Sequence, residues 1–488
     1  MLRIPAILAV VGVLLVGCAG IKGPEQGNNG TAGNSGTGAR SGGGPGGTGV
    51  RPDGGVNPTG CQNLQCQQTN CTQGNCQQHA CPNAGKTTVS GTVYDPGGRN
   101  PLYNVIVYVS NADLAPITEG VTCDQCNGTA TGSPIASALT DATGHFTLDN
   151  APVGSNIPLV IQIGKWRRQV SIPSVTACQD NPVADADHSL LRLPANQSEG
   201  HLPKIAFSTG HSDSLDCLMR KIGIADSEFT PDSGNGRVHM YVGYDDGNGT
   251  GPASLASGGA FASSYGTLFN DYAKLAGYDI LILNCEGGSP KPTPPVTSFI
   301  NIRKYADSGG RIFDEHVHRF WIEDGLPPWT SAAVWDDTDL TTTTDTASID
   351  TSFPKGMALS NWLGSLGALT GGQISLTAVV HSIDGVIAPS QRWIYTSDGR
   401  TQYMTFNTPM EAPEAAQCGR VVFTDVHVGT GSGSGGAPDI ATGKAPFPTD
   451  CSMSTAMSPQ EKALEFMFFD LSSCVQPENV PPTPIPIP

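Results

Sequence analysis

Five cysteines recur at a strict five-residue period, Cys61, Cys66, Cys71, Cys76 and Cys81, separated by Gln, Asn and Thr. The whole chain has 14 cysteines in 488 residues. Structural zinc sites usually present C-x₂₋₄-C pairs, so this spacing permits a metal. The signs of export described below favour disulfides instead, because thiols oxidise outside the cytosol. Five is odd, so one member must pair elsewhere, with Cys123, Cys126 or Cys178 as the nearest candidates. Cys123-Asp-Gln-Cys126 has redox-type spacing, but no helix start follows to lower a thiol pKa, so it reads as structural. Cys451 and Cys474 flank the last helical segment and are expected to pair. A net charge of −17 at pH 7 argues against a nucleic-acid or anionic-membrane binder. Charged residues are only 14% of the chain, which excludes charge-driven disorder. The length suggests two or three domains.

The N-terminus carries an address. Arg3 precedes the apolar run Ile7 to Val16, which is far shorter than the roughly 20 residues of a membrane span. The run ends in Leu15-Val16-Gly17-Cys18, which resembles the lipobox of bacterial lipoproteins. That resemblance implies a signal peptide over 1–17, a lipid on Cys18, and, with Ala19 next, delivery to the outer membrane. The partner it implies is the lipid bilayer, held through several acyl chains. With Cys18 lipidated, thirteen cysteines remain, so at least one is free or intermolecular. Residues 18–60 contain 16 Gly among 43 and no aromatic residue. Such a segment has nothing to bury and reads as a tether with a reach of roughly 35–40 Å. The Cys block, 61–86, follows.

Residues 87–195 read as strands throughout. Thr88 to Tyr94 alternates, Asp95-Pro96-Gly97-Gly98 turns, and Val105 to Val109 forms a second strand. Ala138 to Thr140, His145 to Leu148, Leu159 to Ile163 and Gln169 to Ile172 complete a small all-β sandwich. Gly91-Thr92-Val93, Asp95-Pro96-Gly97, Pro101-Leu102, Asn104-Val105, Thr140-Asp141, Gly144-His145-Phe146 and Pro152-Val153-Gly154 resemble the carboxypeptidase-regulatory-like (transthyretin-like) module. The resemblance implies a non-catalytic binding or spacing domain. The insert carrying Cys123 and Cys126 departs from it. Lys165-Trp166-Arg167-Arg168 is read as a solvated hairpin end, the alternative being a cation–aromatic patch for lipid head groups or an anionic glycan.

From about residue 203 the periodicity changes. Lys204 to Phe207, Asp279 to Leu283, Gly309 to Phe313 and Gly419 to Phe423 read as buried strands. Ser214 to Ile222 and Val296 to Ala306 have helical spacing, and Ser458-Pro459-Gln460-Glu461 opens a last helix with a capping box. Strands alternating with helices predict an α/β flavodoxin-like open parallel-sheet domain over 203–474, followed by a Pro-rich tail, 475–488. Tyr278 to Leu283, Tyr305 with Gly309 to Phe313, and Gly419 to Thr424 resemble the class I glutamine-amidotransferase-like superfamily, in its trehalose-utilisation-type branch. The stretch 329–400 is unmatched. The resemblance implies a Cys nucleophile on an elbow after the Gly-Gly strand. Here that stretch is Asp314-Glu315-His316-Val317-His318, with His316 near the nucleophile position, so glutaminase chemistry is not expected. Cys285 follows a different strand. The lipobox, the tether and the lack of an eightfold strand–helix repeat likewise argue against tryptophan synthase alpha-chain chemistry.

Ligands of open α/β sheets sit beyond the carboxyl ends of the strands. His211 and Asp213, Glu286, Glu315 with His316 and His318, and Asp425 with His427 all follow strands, and would meet at one edge. His211, His316, His318 and His427 are the candidate metal ligands, for a divalent ion. Glu315, His316, Asp425 and His427 are the candidates for acid–base catalysis. The favoured reading is that these are polar strand ends bonded to loops, with no cofactor. The Asp336 to Asp350 stretch, with its Thr run, reads as a solvated loop. The sequence thus points to a cell-envelope lipoprotein acting as a non-enzymatic binding or structural protein, with a glycan or protein ligand. The alternative is a metal-dependent or His-based hydrolase of exported carbohydrate or peptide.

Overall fold

In the computed structural model, Leu64 and residues 78–247, 249–287, 292–428, 446–448 and 453–484 are described. The expectations for the signal 1–17, the tether 18–60, lipidated Cys18, and Cys61, Cys66, Cys71, Cys76 and Cys451 lie outside these residues.

Short runs of β-branched residues set the N-terminal half, because a branched side chain fits a pleated, half-buried surface. Among the described residues seven strands result: β1 (Thr88–Thr92), β2 (Ile106–Ser110), β3 (Pro134–Leu139), β4 (His145–Asp149), β5 (Gly154–Ile163), β6 (Trp166–Val175) and β7 (Asp180–Pro182). They form two sheets, ordered β4-β1-β7 and β3-β2-β5-β6. Along β4, Phe146 and Leu148 point inward while His145, Thr147 and Asp149 face out, the period-2 signature of a one-sided strand.

The described residues of the second half form an 11-stranded sheet. Its strands are β8 (Ile205–Ser208), β9 (Phe229–Pro231), β10 (Val238–Val242), β11 (Ala262–Ser263), β12 (Ile280–Leu283), β13 (Arg311–Glu315), β14 (Ala333–Ile349), β15 (Ile374–Val386), β16 (Gln391–Thr396), β17 (Thr401–Thr408) and β18 (Gly419–Thr424). The order is β11-β10-β8-β12-β13-β18-β17-β16-β14-β15, with β9 beside β10. This overturns the flavodoxin-like parallel sheet expected for 203–474. Pairing is parallel from β11 to β18 but antiparallel through β17, β16, β14 and β15. The molecule is mostly β. The miss has a physical source: the Thr-rich stretch expected as a solvated loop is most of β14, where branched Thr side chains favour extended backbone.

The longer helices are α1 (Leu215–Lys221), α2 (Val296–Asp307), α3 (Pro354–Ser365) and α4 (Pro459–Ser472). Helix α4 starts with a complete capping box, Ser458 Oγ accepting from the Glu461 amide and Glu461 accepting from the Ser458 amide at 2.7 Å. Among the described residues, no helix is long and apolar enough to cross a membrane.

The sandwich and the large sheet lie in one compact unit and share a core. Trp166 is fully buried against Phe468 and Phe469 of α4. Tyr103 stacks on Phe466 at 5.7 Å, and the Trp362 indole donates to the Pro101 carbonyl at 2.6 Å. Gly164, at φ +50° in the β5–β6 turn, lies so close to the Ser472 carbonyl that any Cβ would collide with it. Lys165 pairs with Asp279 at 2.6 Å, and Arg167 exchanges backbone hydrogen bonds with His201. The Lys165–Arg168 segment is therefore part of this seam, neither a solvated hairpin end nor a free patch for a glycan.

Two disulfides close the seam: Cys123–Cys418 and Cys126–Cys474. Both start in the insert between β2 and β3 and end at the base of the large sheet. Cys474 thus pairs with Cys126 rather than with Cys451 as expected. Around them Gln125 donates to the Ala415 and Gln417 carbonyls at 3.0 and 2.9 Å. Cys81 pairs with Cys178, and Cys217 is also oxidised. Cys285 is a free, buried thiol.

Candidate functional site

The parallel register brings four strand ends together at the edge opposite the disulfides. Leu283 lies beside both Ser208 and Asp314, and Glu315 beside Thr424. The residues that follow, His211, Cys285, His316 and His427, therefore emerge from adjacent strands. Close approach requires small residues: at Gly210 a Cβ would run into the Cys285 carbonyl.

His316 follows β13 at φ +42°, a left-handed conformation uncommon for any residue but Gly. The turn puts its Nδ1 3.2 Å from Cys285 Sγ. The His316 and His427 rings meet edge to face, with centroids 5.3 Å apart. One donor atom from each of Cys285, His316 and His427 lies within 4.8 Å of the others. His316 Nε2 and His427 Nδ1 are buried and have no hydrogen-bond partner. His316 is half-buried, and burial, reinforced by the neighbouring His427, pushes its pKa well below the usual imidazole range. Burial pushes the Cys285 thiol up to about 12, so without a cation beside it this group is a neutral thiol at pH 7.

The other candidates are tied down. His318 donates from Nε2 to the Asn284 carbonyl at 3.1 Å and accepts from the Trp321 indole at Nδ1, so both nitrogens are used. Burial lowers its pKa to about 3. His211 is held by Asp246 at 3.0 Å, with Ser212 on its other nitrogen. Asp425 accepts from the Ser382 amide and hydroxyl on β15. Glu286 accepts from the Tyr244 amide and the Tyr265 hydroxyl, both at 2.8 Å. Glu315 accepts from the Cys285 amide at 2.8 Å and lies against Asp213. Burial, then the Asp213 carboxylate, holds the Glu315 pKa well above its usual range. Asp213 in turn accepts from the Ser214 and Val428 amides.

Of the residues expected as metal ligands, His316 and His427 come together, while His211 and His318 stand apart in structural hydrogen bonds. Of those expected to catalyse, Glu315 and Asp425 face backbone amides and a serine. Cys285 is the cluster member that sequence reasoning set aside, because it does not follow the Gly-Gly strand. The signal was present: it follows the strand next to that one in a parallel sheet. A small cleft lies elsewhere, at the seam between Lys165, Asp279, Arg311 and Ser472.

No family model matches the chain, and no curated protein matches it. Among solved structures, the mmIFT52 N-terminal domain is 12% identical with a TM-score of 0.29, covering 55% of this chain and 96% of its own. SMU.1228c is also 12% identical, with a TM-score of 0.30, covering 55% and 99%. A cohesin–X-dockerin complex from Acetivibrio cellulolyticus is 16% identical with a TM-score of 0.16, covering 28% and 85%. Likenesses this remote carry no argument about function.

Proposed function

We propose that this chain is a lipid-anchored protein of the cell envelope, held by Cys18 at the outer membrane, whose folded body is a non-enzymatic binding or structural module. The observation that supports it most is how the strand-end polar groups are spent. His318, His211, Glu286 and Asp425 are each bonded to this chain's own loops and strands. Where an amidotransferase-type elbow would present a thiol, an imidazole stands, and the nearest thiol is fully buried. Cross-linking of the sandwich to the large sheet suits a rigid body displayed on a tether, with a glycan or protein as its ligand.

Two measurements test this. Envelope fractionation should find the wild type with membranes and Cys18→Ser in the soluble fraction. Release of ammonia from glutamine, and hydrolysis of ester and glycoside panels, should run at the buffer rate. Turnover that is lost in His316→Ala would overturn the non-enzymatic reading, and membrane retention of Cys18→Ser would overturn the anchor.

A further inference from the structure

We propose that Cys285, His316 and His427 form a binding site for one borderline-soft transition-metal ion, zinc(II) in the first instance, held through one sulfur and two imidazole nitrogens. The three donors come from the ends of β12, β13 and β18, three neighbouring strands whose spacing the sheet itself sets. All three donor atoms fall within 4.8 Å of one another. A tetrahedral zinc with Zn–S near 2.3 Å and Zn–N near 2.05 Å spans an S···N distance of about 3.5 Å. The Cys285 Sγ to His316 Nδ1 distance is 3.2 Å, so an opening of a few tenths of an ångström would admit the ion.

An unspent polar atom points the same way. His427 is only 5% exposed, yet its Nδ1 has no hydrogen-bond partner. A buried imidazole nitrogen left unbonded is costly, and a metal is one of the few things that can satisfy it. The left-handed backbone of His316 is a second cost concentrated at this spot, of the kind that persists where the surrounding structure imposes it. The outer contacts suit ligands that must be aimed: Glu315 accepts from the Cys285 amide at 2.8 Å, and Gln460 donates to the His427 carbonyl at 2.8 Å.

The donor set selects the metal. One thiolate and two imidazoles favour zinc or copper, whereas calcium and magnesium require oxygen donors. On binding, the Cys285 thiol loses its proton to solvent while both imidazoles bind as neutral bases, so one proton leaves per ion and nothing is oxidised. The site does not depend on the non-enzymatic reading, because a three-donor metal can serve structure or chemistry.

The test uses the full chain, purified through the periplasm under non-reducing conditions, stripped with a chelator and reloaded with zinc or with cobalt(II) as a spectroscopic stand-in. Wild type should take up about one zinc per chain and show a sulfur-to-cobalt charge-transfer band. Cys285→Ser should lose that band, and zinc content should fall at least tenfold in Cys285→Ser and in His427→Ala. His211→Ala, outside the cluster, should keep both. Near-UV circular dichroism and disulfide mapping establish that each variant is folded. Proton release on zinc addition to stripped wild type, about one per ion, gives a readout that needs no variant. The proposal fails if wild type binds no cobalt with a sulfur band, if the band survives in Cys285→Ser, or if His211→Ala loses as much zinc as the cluster variants.

Discussion

Removing the disulfides at the seam should cost stability in a characteristic, non-additive way. Cys123–Cys418 and Cys126–Cys474 span 295 and 348 residues of chain. With one bridge intact, the other closes a much shorter loop, because the chain can run between 123 and 126, cross the remaining bridge, and return between 418 and 474. That loop is about 59 residues, for which the chain-entropy model gives about 4 kcal/mol. Measured losses run lower, so Cys123→Ala/Cys418→Ala and Cys126→Ala/Cys474→Ala should each cost about 2–4 kcal/mol. Once both are gone, the last loop to open is the long one. The quadruple variant should therefore lose about 1.5 kcal/mol more than the two double variants together. Urea unfolding under non-reducing conditions measures this, and the urea m-value should rise as the unfolded chain expands. Two losses near zero, or a quadruple variant less destabilised than the sum, would refute the view that the insert clamps the sandwich to the sheet.

Other outcomes follow from the same seam. Trp166→Ala should cost about 3–5 kcal/mol by thermal or urea unfolding, because it empties the contact with Phe468 and Phe469; a loss below about 1 kcal/mol would mean that the seam is loosely packed. The buried Asp95–Glu465 pair should make stability fall as pH rises. Burial raises Asp95 to about 6 despite its amide hydrogen bonds and nearby Arg99, and burial and Asp95 together raise Glu465 well above its usual range despite Asn100 and Lys462. Both folded-state values exceed the unfolded ones, so the folded protein binds more protons. Their contribution is full below about pH 4 and is lost as pH rises through 6 and beyond. The urea midpoint should fall less steeply between pH 4 and 6 in Glu465→Gln than in wild type; parallel profiles would exclude this pair as the source.

What could be read in advance depended on whether a signal was local. The capping box Ser458/Glu461 is four residues long, and helix α4 begins there. The apolar run Ile280–Leu283 is a strand because four fully buried residues in a row suit the middle of a sheet. The antiparallel half of the large sheet was not legible, because its longest strand, β14, is rich in Thr and Asp. Past Ala333-Val334-Trp335 it has no run of apolar residues to betray it, and its pairing with β15 and β16 is settled by neighbours remote in sequence. The disulfide map was hidden for the same reason: Cys126 finds Cys474 across 348 residues. At the site, His316 and His427 were legible as strand-end residues. That Cys285 completes their cluster, while His318 turns away to Asn284 and Trp321, depends on side-chain directions that spacing does not encode.

The central claim is that the described strand-end groups of this protein include no acyl-transfer nucleophile. The most direct measurement is intact-mass spectrometry of the native, metal-stripped full chain after incubation with a chloroketone analogue of glutamine. The account predicts no mass increase, since the Cys285 thiol is buried and protonated at pH 7. A single adduct that maps to Cys285 and disappears in His316→Ala would contradict it, identifying a working thiol–imidazole pair.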